Sequence, residues 1–184
     1  MSLMQTKTKQ ATRPIIFLDM DDVLCIDIKY SSIEVKAAFK SYETNYPGLW
    51  ANLVHTDARM NLLELHTEFF PQYVLSSSWS CTFEEWQMKE VFKRTELDFV
   101  AKNLHKEWTT PKELGSSRIK EIENWLAKYM HPKRPILILD DADSGWTLKD
   151  SRLDKLGVIV FCEPSIGFNE QCLIEARKIL GSQL

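Results

Sequence analysis

The chain lacks several features that would assign it to other protein classes. No apolar run reaches the roughly 18–20 residues that cross a bilayer, so we expect no membrane-spanning segment. The first dozen residues are polar and contain no apolar signal-peptide core. Basic residues are not in excess, because 23 Lys and Arg stand against 26 Asp and Glu and leave a net charge of −3. Binding along an extended nucleic-acid backbone therefore receives little support.

Cysteine and histidine give no sign of a soft-metal site. The four cysteines, Cys25, Cys81, Cys162 and Cys172, show neither CxxC pairing nor metal-like spacing, and the four histidines have no ligand spacing. Without a signal peptide, such cysteines indicate reduced thiols, and we expect a cytoplasmic protein. The length of 184 residues and the hydrophobic fraction of 44% are typical of one globular domain.

The most informative stretch joins an apolar run to a cluster of acids. The run Ile15–Leu18 is followed by three carboxylates within four residues, Asp19, Asp21 and Asp22. Two carboxylates about 4 Å apart repel by about 4 kcal/mol at an effective dielectric constant near 20. A divalent cation bound by oxygen ligands is the usual compensation. The motif therefore indicates a reactive site rather than a structural element.

Short apolar runs alternate with helical patterns along the whole chain. This alternation predicts an α/β fold in which a mostly parallel sheet is covered by helices on both faces. Trp86 and Trp125 lie on apolar helical faces and are expected in the core. We expect strands at 14–18, 72–75, 99–100, 136–139 and 157–161. We expect helices at 57–69 and 118–129, a further helix that begins after a capping box at 82–85, and a last helix that is capped by Asn169 and runs to residue 180.

Polar residues directly follow three of these apolar strands. Ligands of parallel α/β sheets bind outside the carboxyl ends of the strands, which places Asp19, Asp21, Ser76 and Asp140 along one edge. Asp19 could attack phosphorus, and Asp21 could act as general acid and base. Asp140 would complete a magnesium site with Asp19. Ser76 would bind phosphoryl oxygens, and Arg118 would supply a cation.

Two tryptophans follow motifs on the same edge. Trp79 and Trp146 could stack on a nucleobase or pack in the interior. Ser77 is the neighbour that would replace Ser76 if the strand register shifted by one residue.

The order of these motifs resembles the haloacid dehalogenase (HAD) superfamily over residues 14–145. Within it, the stretches VLSSSW, RIKEIENWL and LILDDAD resemble the small group described as Swiss-Army-knife RNA-repair-like. The resemblance implies a three-layer Rossmann-like fold with a minimal cap. It also implies a Mg²⁺-dependent phosphohydrolase that forms a covalent aspartyl-phosphate on a phosphomonoester substrate, with a nucleotide or nucleic-acid end as a candidate.

The resemblance also implies roles for individual residues. Asp19 would be the nucleophile and Asp21 the acid/base. Magnesium would be bound by the Asp19 carboxylate, the Asp21 backbone carbonyl and Asp140, with Asp141 in the site or just outside it. Ser76 would bind phosphate; Ser77 and Trp79 are candidate substrate contacts because of their places next to Ser76 and on the same edge, not because of the resemblance. Arg118 would replace the usual lysine, although Lys120, Lys128 and Lys133 compete for this position. Asp22 stands where glycine is common, and Ser80 stands where a basic residue often follows the tryptophan of the second motif.

We expect a flexible segment at 1–12 and a single HAD-like domain at 13–184, with residues 27–55 forming a small flap or cap. The expected partner is a small phosphorylated substrate or an oligonucleotide end, with no membrane association. Two other functions remain open. One is a catalytically silent HAD-like binding or regulatory protein. The other is a receiver-like module phosphorylated on an aspartate, although receivers normally place paired acids after the first strand and the phosphorylated aspartate after the third.

Overall fold

A computed structural model of the protein describes residues 13–26, 30–39 and 48–184. In these ranges the strands form a single sheet in which every neighbouring pair is parallel, with the order β3-β2-β1-β4-β5. The strands are β1 (Ile15–Leu18), β2 (Gln72–Leu75), β3 (Leu104–Thr109), β4 (Ile136–Asp141) and β5 (Ile159–Cys162).

The helices connect the strands and cover both faces of the sheet. They are α1 (Ser32–Ala38), α2 (Leu49–Asn52), α3 (Thr56–Phe69), α4 (Trp79–Thr82), α5 (Glu85–Arg94), α6 (Asp98–Lys102), α7 (Arg118–Tyr129), α8 (Arg152–Lys155) and α9 (Glu170–Gln183). None of the helices in the described ranges combines the length and the apolarity that crossing a membrane requires.

Alternate side chains of β1 pack into different cores, as the two-residue period of a strand requires. Ile16 and Leu18 belong to a large cluster that contains residues of α3, α5 and α9. Ile15 and Phe17 belong to a smaller cluster on α7 and α8, where the Phe17 ring meets the Trp125 ring edge to face at 5.2 Å. The α/β, Rossmann-like fold class is therefore confirmed.

The strand register brings three polar residues to the same level. Leu18 pairs with Leu75 on one side and with Leu139 on the other. The N–H of Asp19 donates to the Leu139 carbonyl at 3.0 Å, and the N–H of Ser76 donates to the Leu18 carbonyl at 2.8 Å. Asp19, Ser76 and Asp140 each follow one of these paired leucines, so they lie side by side on three adjacent strands at the carboxyl edge of the sheet.

Three local predictions are wrong. Residues 99–100 lie in α6, and the strand of that region is β3, whose polar edge-strand sequence carries no apolar run. The capping box is not at Thr82, which ends α4; Glu84 caps α5 instead, paired with Gln87. Trp86 is not in the core, because it is 62% exposed on α5.

The expected flexible segment at 1–12 lies outside the described residues. So do residues 27–29 and 40–47 of the expected flap at 27–55. The described part of that region contains α1 and α2, whose Val35, Ala38 and Leu49 contribute to the larger core cluster. The flap therefore stays a prediction.

Candidate active site

Three buried carboxylates meet at the carboxyl edge of the sheet. Asp19 follows β1, and Asp140 and Asp141 end β4, so the in-register pairing of these two strands brings them together. One oxygen from each carboxylate lies within 4.8 Å of the others, and the three residues are at most 2% exposed. We call these residues the acidic cluster. Asp21 is not a member of it.

Among the described residues, Arg118, the first residue of α7, forms ion pairs with this cluster. Its Nη2 lies 3.1 Å from Asp19 Oδ2, and its Nε lies 3.0 Å from Asp140 Oδ2. Its Nη1 also donates to the backbone carbonyl of Ser76. Lys120, Lys128 and Lys133 are exposed, so the geometry favours Arg118 over these three lysines as the basic residue of the site.

Burial dominates the electrostatics of the cluster. It raises the pKa of Asp19, against the opposing effect of Arg118. It raises the pKa of Asp140 well above the usual range, and the nearby Asp19 carboxylate raises it further. Burial alone would lower the pKa of Arg118, but the carboxylates of Asp19 and Asp140 outweigh that effect and raise it. One guanidinium against three carboxylates leaves a formal charge of −2.

These residues fit a hard divalent cation. The acidic cluster offers carboxylate oxygens, which magnesium prefers in proteins. Asp140 Oδ2 is fully buried and accepts no hydrogen bond from the described residues, although the Nε of Arg118 lies 3.0 Å away in ion-pair contact. A buried oxygen without a hydrogen bond is costly, and the formal charge of −2 matches the charge of the ion.

Asp21 faces Trp79 rather than the acidic cluster. The indole N–H of Trp79 donates to Asp21 Oδ1 at 2.9 Å. Burial raises the pKa of Asp21, and the Trp79 hydrogen bond opposes this rise. Trp79 itself is 0% exposed, so its ring packs in the core and does not offer a face for stacking on a substrate. Its hydrogen bond instead fixes the orientation of the Asp21 carboxylate.

Both candidate serines of the second strand end are buried beside Asp19. Ser76 is 1% exposed, and its Oγ lies 3.5 Å from the Nη1 of Arg118. Ser77 is 0% exposed, its Oγ accepts a hydrogen bond from the N–H of Trp79 at 3.4 Å, and its hydroxyl lowers the pKa of Asp19 against the effect of burial. Both hydroxyls therefore lie next to the residue that we expect to be the nucleophile.

Asp22 occupies a backbone conformation that usually calls for glycine. Its φ of +54° lies in the left-handed region, which aspartate tolerates better than most residues. Its Oδ1 accepts a hydrogen bond from the N–H of Ser165 at 3.2 Å, in the loop after β5. The side chain that replaces glycine here thus links the first acidic motif to a neighbouring loop.

The sequence interpretation missed Ser144 and Gly145, which follow β4. The Ser144 hydroxyl lies within hydrogen-bonding distance of all three members of the acidic cluster. A Cβ on Gly145 would lie 2.5 Å from the carbonyl oxygen of Asp141 and 2.9 Å from Asp140 Oδ1. The Ser-Gly pair shortly after Asp140-Asp141 was the available signal, because such a pair allows a tight turn back onto the strand end.

A parallel α/β sheet with buried acids at the carboxyl ends of β1 and β4 is the arrangement of the HAD superfamily. The family model described as "HAD domain in Swiss Army Knife RNA repair proteins" matches residues 15–173, and the chain belongs to this family. At the superfamily level it is a hydrolase of the phosphatase type. Neither the curated proteins nor the solved structures contain a match.

Proposed function

We propose that the protein is a magnesium-dependent phosphohydrolase that acts on a phosphomonoester through a covalent phosphate on Asp19. The observation that carries the proposal is the convergence of Asp19, Asp140 and Asp141 with Arg118 at one sheet edge. The acidic cluster would hold Mg²⁺, which would offset the negative charge of the phosphate and polarise its oxygens.

The reaction would proceed in two displacements. In the first, a carboxylate oxygen of Asp19 attacks phosphorus while the bond from phosphorus to the leaving oxygen breaks. Asp21 gives its proton to that oxygen, a role that its raised pKa suits. In the second, ionised Asp21 takes a proton from water, whose oxygen attacks phosphorus and releases phosphate from Asp19.

Arg118 and the two serines would stabilise the phosphoryl group. Arg118 already contacts Asp19 and the Ser76 carbonyl, so a phosphate on Asp19 would come within reach of its guanidinium. Charge-assisted hydrogen bonds of this kind stabilise a transition state most when the donors already lie where its negative charge develops. The hydroxyls of Ser76 and Ser77 are further donors in the same place.

A nucleotide or nucleic-acid end is the substrate class that we favour. Trp146 is 70% exposed on the turn after β4. It lies between Gly145, where a Cβ would be 2.9 Å from Asp140 Oδ1, and Thr147, whose hydroxyl accepts a hydrogen bond from the N–H of Ile119 at 3.3 Å. An exposed indole beside a phosphate site can stack on a base, worth about 1–3 kcal/mol per base. The family description, which names RNA repair proteins, agrees with this choice.

A substrate panel tests the proposal. Purified protein with magnesium would be assayed on an aryl phosphate, sugar phosphates, nucleotides, and oligonucleotides phosphorylated at the 3′ or the 5′ end, with Asp19→Asn as the inactive control. Activity that requires both magnesium and Asp19 is expected. No turnover on any member of the panel would contradict the proposed activity and favour a silent binding protein.

Two tryptophan variants test the substrate class. Trp146→Ala should lower kcat/KM for base-containing substrates by about 5–150-fold, which corresponds to about 1–3 kcal/mol of lost stacking, and should leave the hydrolysis of sugar phosphates unchanged. Trp86→Ala is the matched control, because Trp86 is similarly exposed but lies on α5. Equal losses on both substrate types would argue against stacking.

A further inference from the structure

The Ser144 hydroxyl has more carboxylate neighbours than it can satisfy by donation. Its Oγ lies 3.0 Å from Asp19 Oδ2 and 3.1 Å from Asp140 Oδ1, and it is closer still to Asp141 Oδ2. The Nη2 of Arg118 also lies 3.4 Å from Ser144 Oγ. A serine hydroxyl has one proton and two lone pairs. It can therefore donate a hydrogen bond to only one of the three carboxylates. In its contacts with the other two carboxylates, the Ser144 oxygen faces another acceptor oxygen.

The turn after β4 keeps the hydroxyl in this position. The backbone N–H groups of Asp143 and Ser144 both donate to Asp141 Oδ1 at 2.8 Å. The next residue is Gly145, where a Cβ would lie 2.9 Å from Asp140 Oδ1. The backbone of Ser144 is thus fixed against the acidic cluster.

The spacing of these oxygens suits ligands of one small cation. In octahedral magnesium sites with Mg–O distances of about 2.0–2.1 Å, neighbouring ligand oxygens are about 3.0 Å apart. The distances from Ser144 Oγ to Asp19 Oδ2 and Asp140 Oδ1 have this value. Asp140 Oδ2 is buried and pairs with the Nε of Arg118 at 3.0 Å, but it accepts no hydrogen bond from any residue in the described ranges, so it has room for a further partner.

We propose that the Ser144 hydroxyl is a direct ligand of the divalent cation, together with Asp19 and Asp140. This inference rests on the magnesium site of the proposed function and adds a neutral ligand to it. The hydroxyl then contributes a lone pair to the cation, and its proton remains available for Asp141.

Metal binding, measured without any substrate, tests the role of Ser144. Manganese is the probe, and free Mn²⁺ is followed by electron paramagnetic resonance during titration of the wild type, Ser144→Ala and Ser182→Ala. Ser144→Ala should bind Mn²⁺ at least about 10–100-fold more weakly, because removing even a group that only supports the metal ligands costs that much. Ser182→Ala is the matched control, because its hydroxyl donates to the Ile179 carbonyl in α9, and it should bind like the wild type.

A cysteine variant gives a second readout, which measures metal preference and does not depend on a loss of metal affinity. Ser144→Cys places a soft sulfur in the proposed ligand position and should raise the preference for Cd²⁺ over Mn²⁺ at least about tenfold, because thiolates select softer metals. Thermal unfolding of each variant in chelator shows whether the fold is retained. If Ser144→Ala does not fold, the cadmium preference of Ser144→Cys decides the question.

The outcomes separate this inference from the proposed function. If Ser144→Ala binds Mn²⁺ as tightly as the wild type, or Ser144→Cys gains no preference for Cd²⁺, the hydroxyl only bridges the acids and the inference is wrong. If the wild type binds no Mn²⁺, the magnesium site itself is refuted and the inference with it. Phosphatase activity that requires Asp19 is measured independently of either result.

Discussion

Replacing Arg118 with methionine should destabilise the metal-free protein strongly. The side chain is 10% exposed and makes ion pairs of 3.1 Å with Asp19 and 3.0 Å with Asp140. Methionine keeps much of the volume but leaves the acidic cluster without a positive charge. Breaking a buried ion pair by removing one partner costs about 3–5 kcal/mol. At about 2–4 °C per kcal/mol for a domain of this size, the unfolding midpoint should fall by about 6–20 °C.

The loss should depend on pH in a defined direction. Burial raises the folded-state pKa of Asp19 and Asp140, so the folded protein holds protons that the unfolded chain releases. Their contribution to stability is therefore present below the unfolded pKa and is lost as pH rises through the folded pKa. Arg118 limits this loss of stability because its positive charge favours the ionised form of both acids. The deficit of Arg118→Met should be small in acidic buffer, where both acids are neutral, and should grow toward alkaline pH.

Circular dichroism during heating, with chelator and with excess magnesium, measures these effects. Magnesium should raise the midpoint of Arg118→Met more than that of the wild type, because the ion supplies the missing positive charge. Arg177→Met is the control, since Arg177 pairs with Glu64 and Glu68 at the surface and should change the midpoint little. A loss no larger than that of the control, or one independent of pH, would refute the reasoning.

Three further changes test other parts of the site. Asp19→Asn should reduce phosphatase turnover at least about 10³-fold, because the amide cannot form the covalent intermediate; turnover near the wild-type rate would exclude Asp19 as nucleophile. Trp79→Phe removes the N–H that lowers the pKa of Asp21, so the limb of the kcat/KM pH profile that belongs to Asp21 should move to higher pH; an unmoved limb would contradict that assignment. Gly145→Ala introduces a Cβ against Asp140, so it should lower the free energy of unfolding by about 1–3 kcal/mol and weaken Mn²⁺ binding. Denaturant unfolding and metal titration measure these two effects. Unchanged values would mean that the turn relaxes.

The sequence predicted the sheet well because its buried parallel strands have apolar runs. The bounds of β2 and α7 agree with the prediction, and β4 extends two residues further, through both acids. The edge strand β3 was missed because its sequence, LHKEWT, mixes charged and apolar residues.

The site was predictable only where it follows directly from the strand ends. Asp19 and Asp140 are adjacent because β1 and β4 pair in register, whereas the alternation of strands and helices predicted only that both lie at the same edge of the sheet. The choice between Arg118 and the nearby lysines depends on how α7 is rotated against the sheet, and no local pattern fixes that rotation. Ser144 reaches Asp19 across 125 residues of sequence, through a turn whose path depends on the absence of a side chain at Gly145.

The pairing of β4 with β5 continues past the apolar part of the strand. Asp140 is opposite Phe161 and Asp141 is opposite Cys162 in the register of these strands. The backbone of both acids is consequently braced by the sheet, while Trp146 belongs to the loop beyond it. A substitution confined to Trp146, which is 70% exposed, can therefore alter the surface at this edge while the sheet keeps the backbone of Asp140 and Asp141 in place.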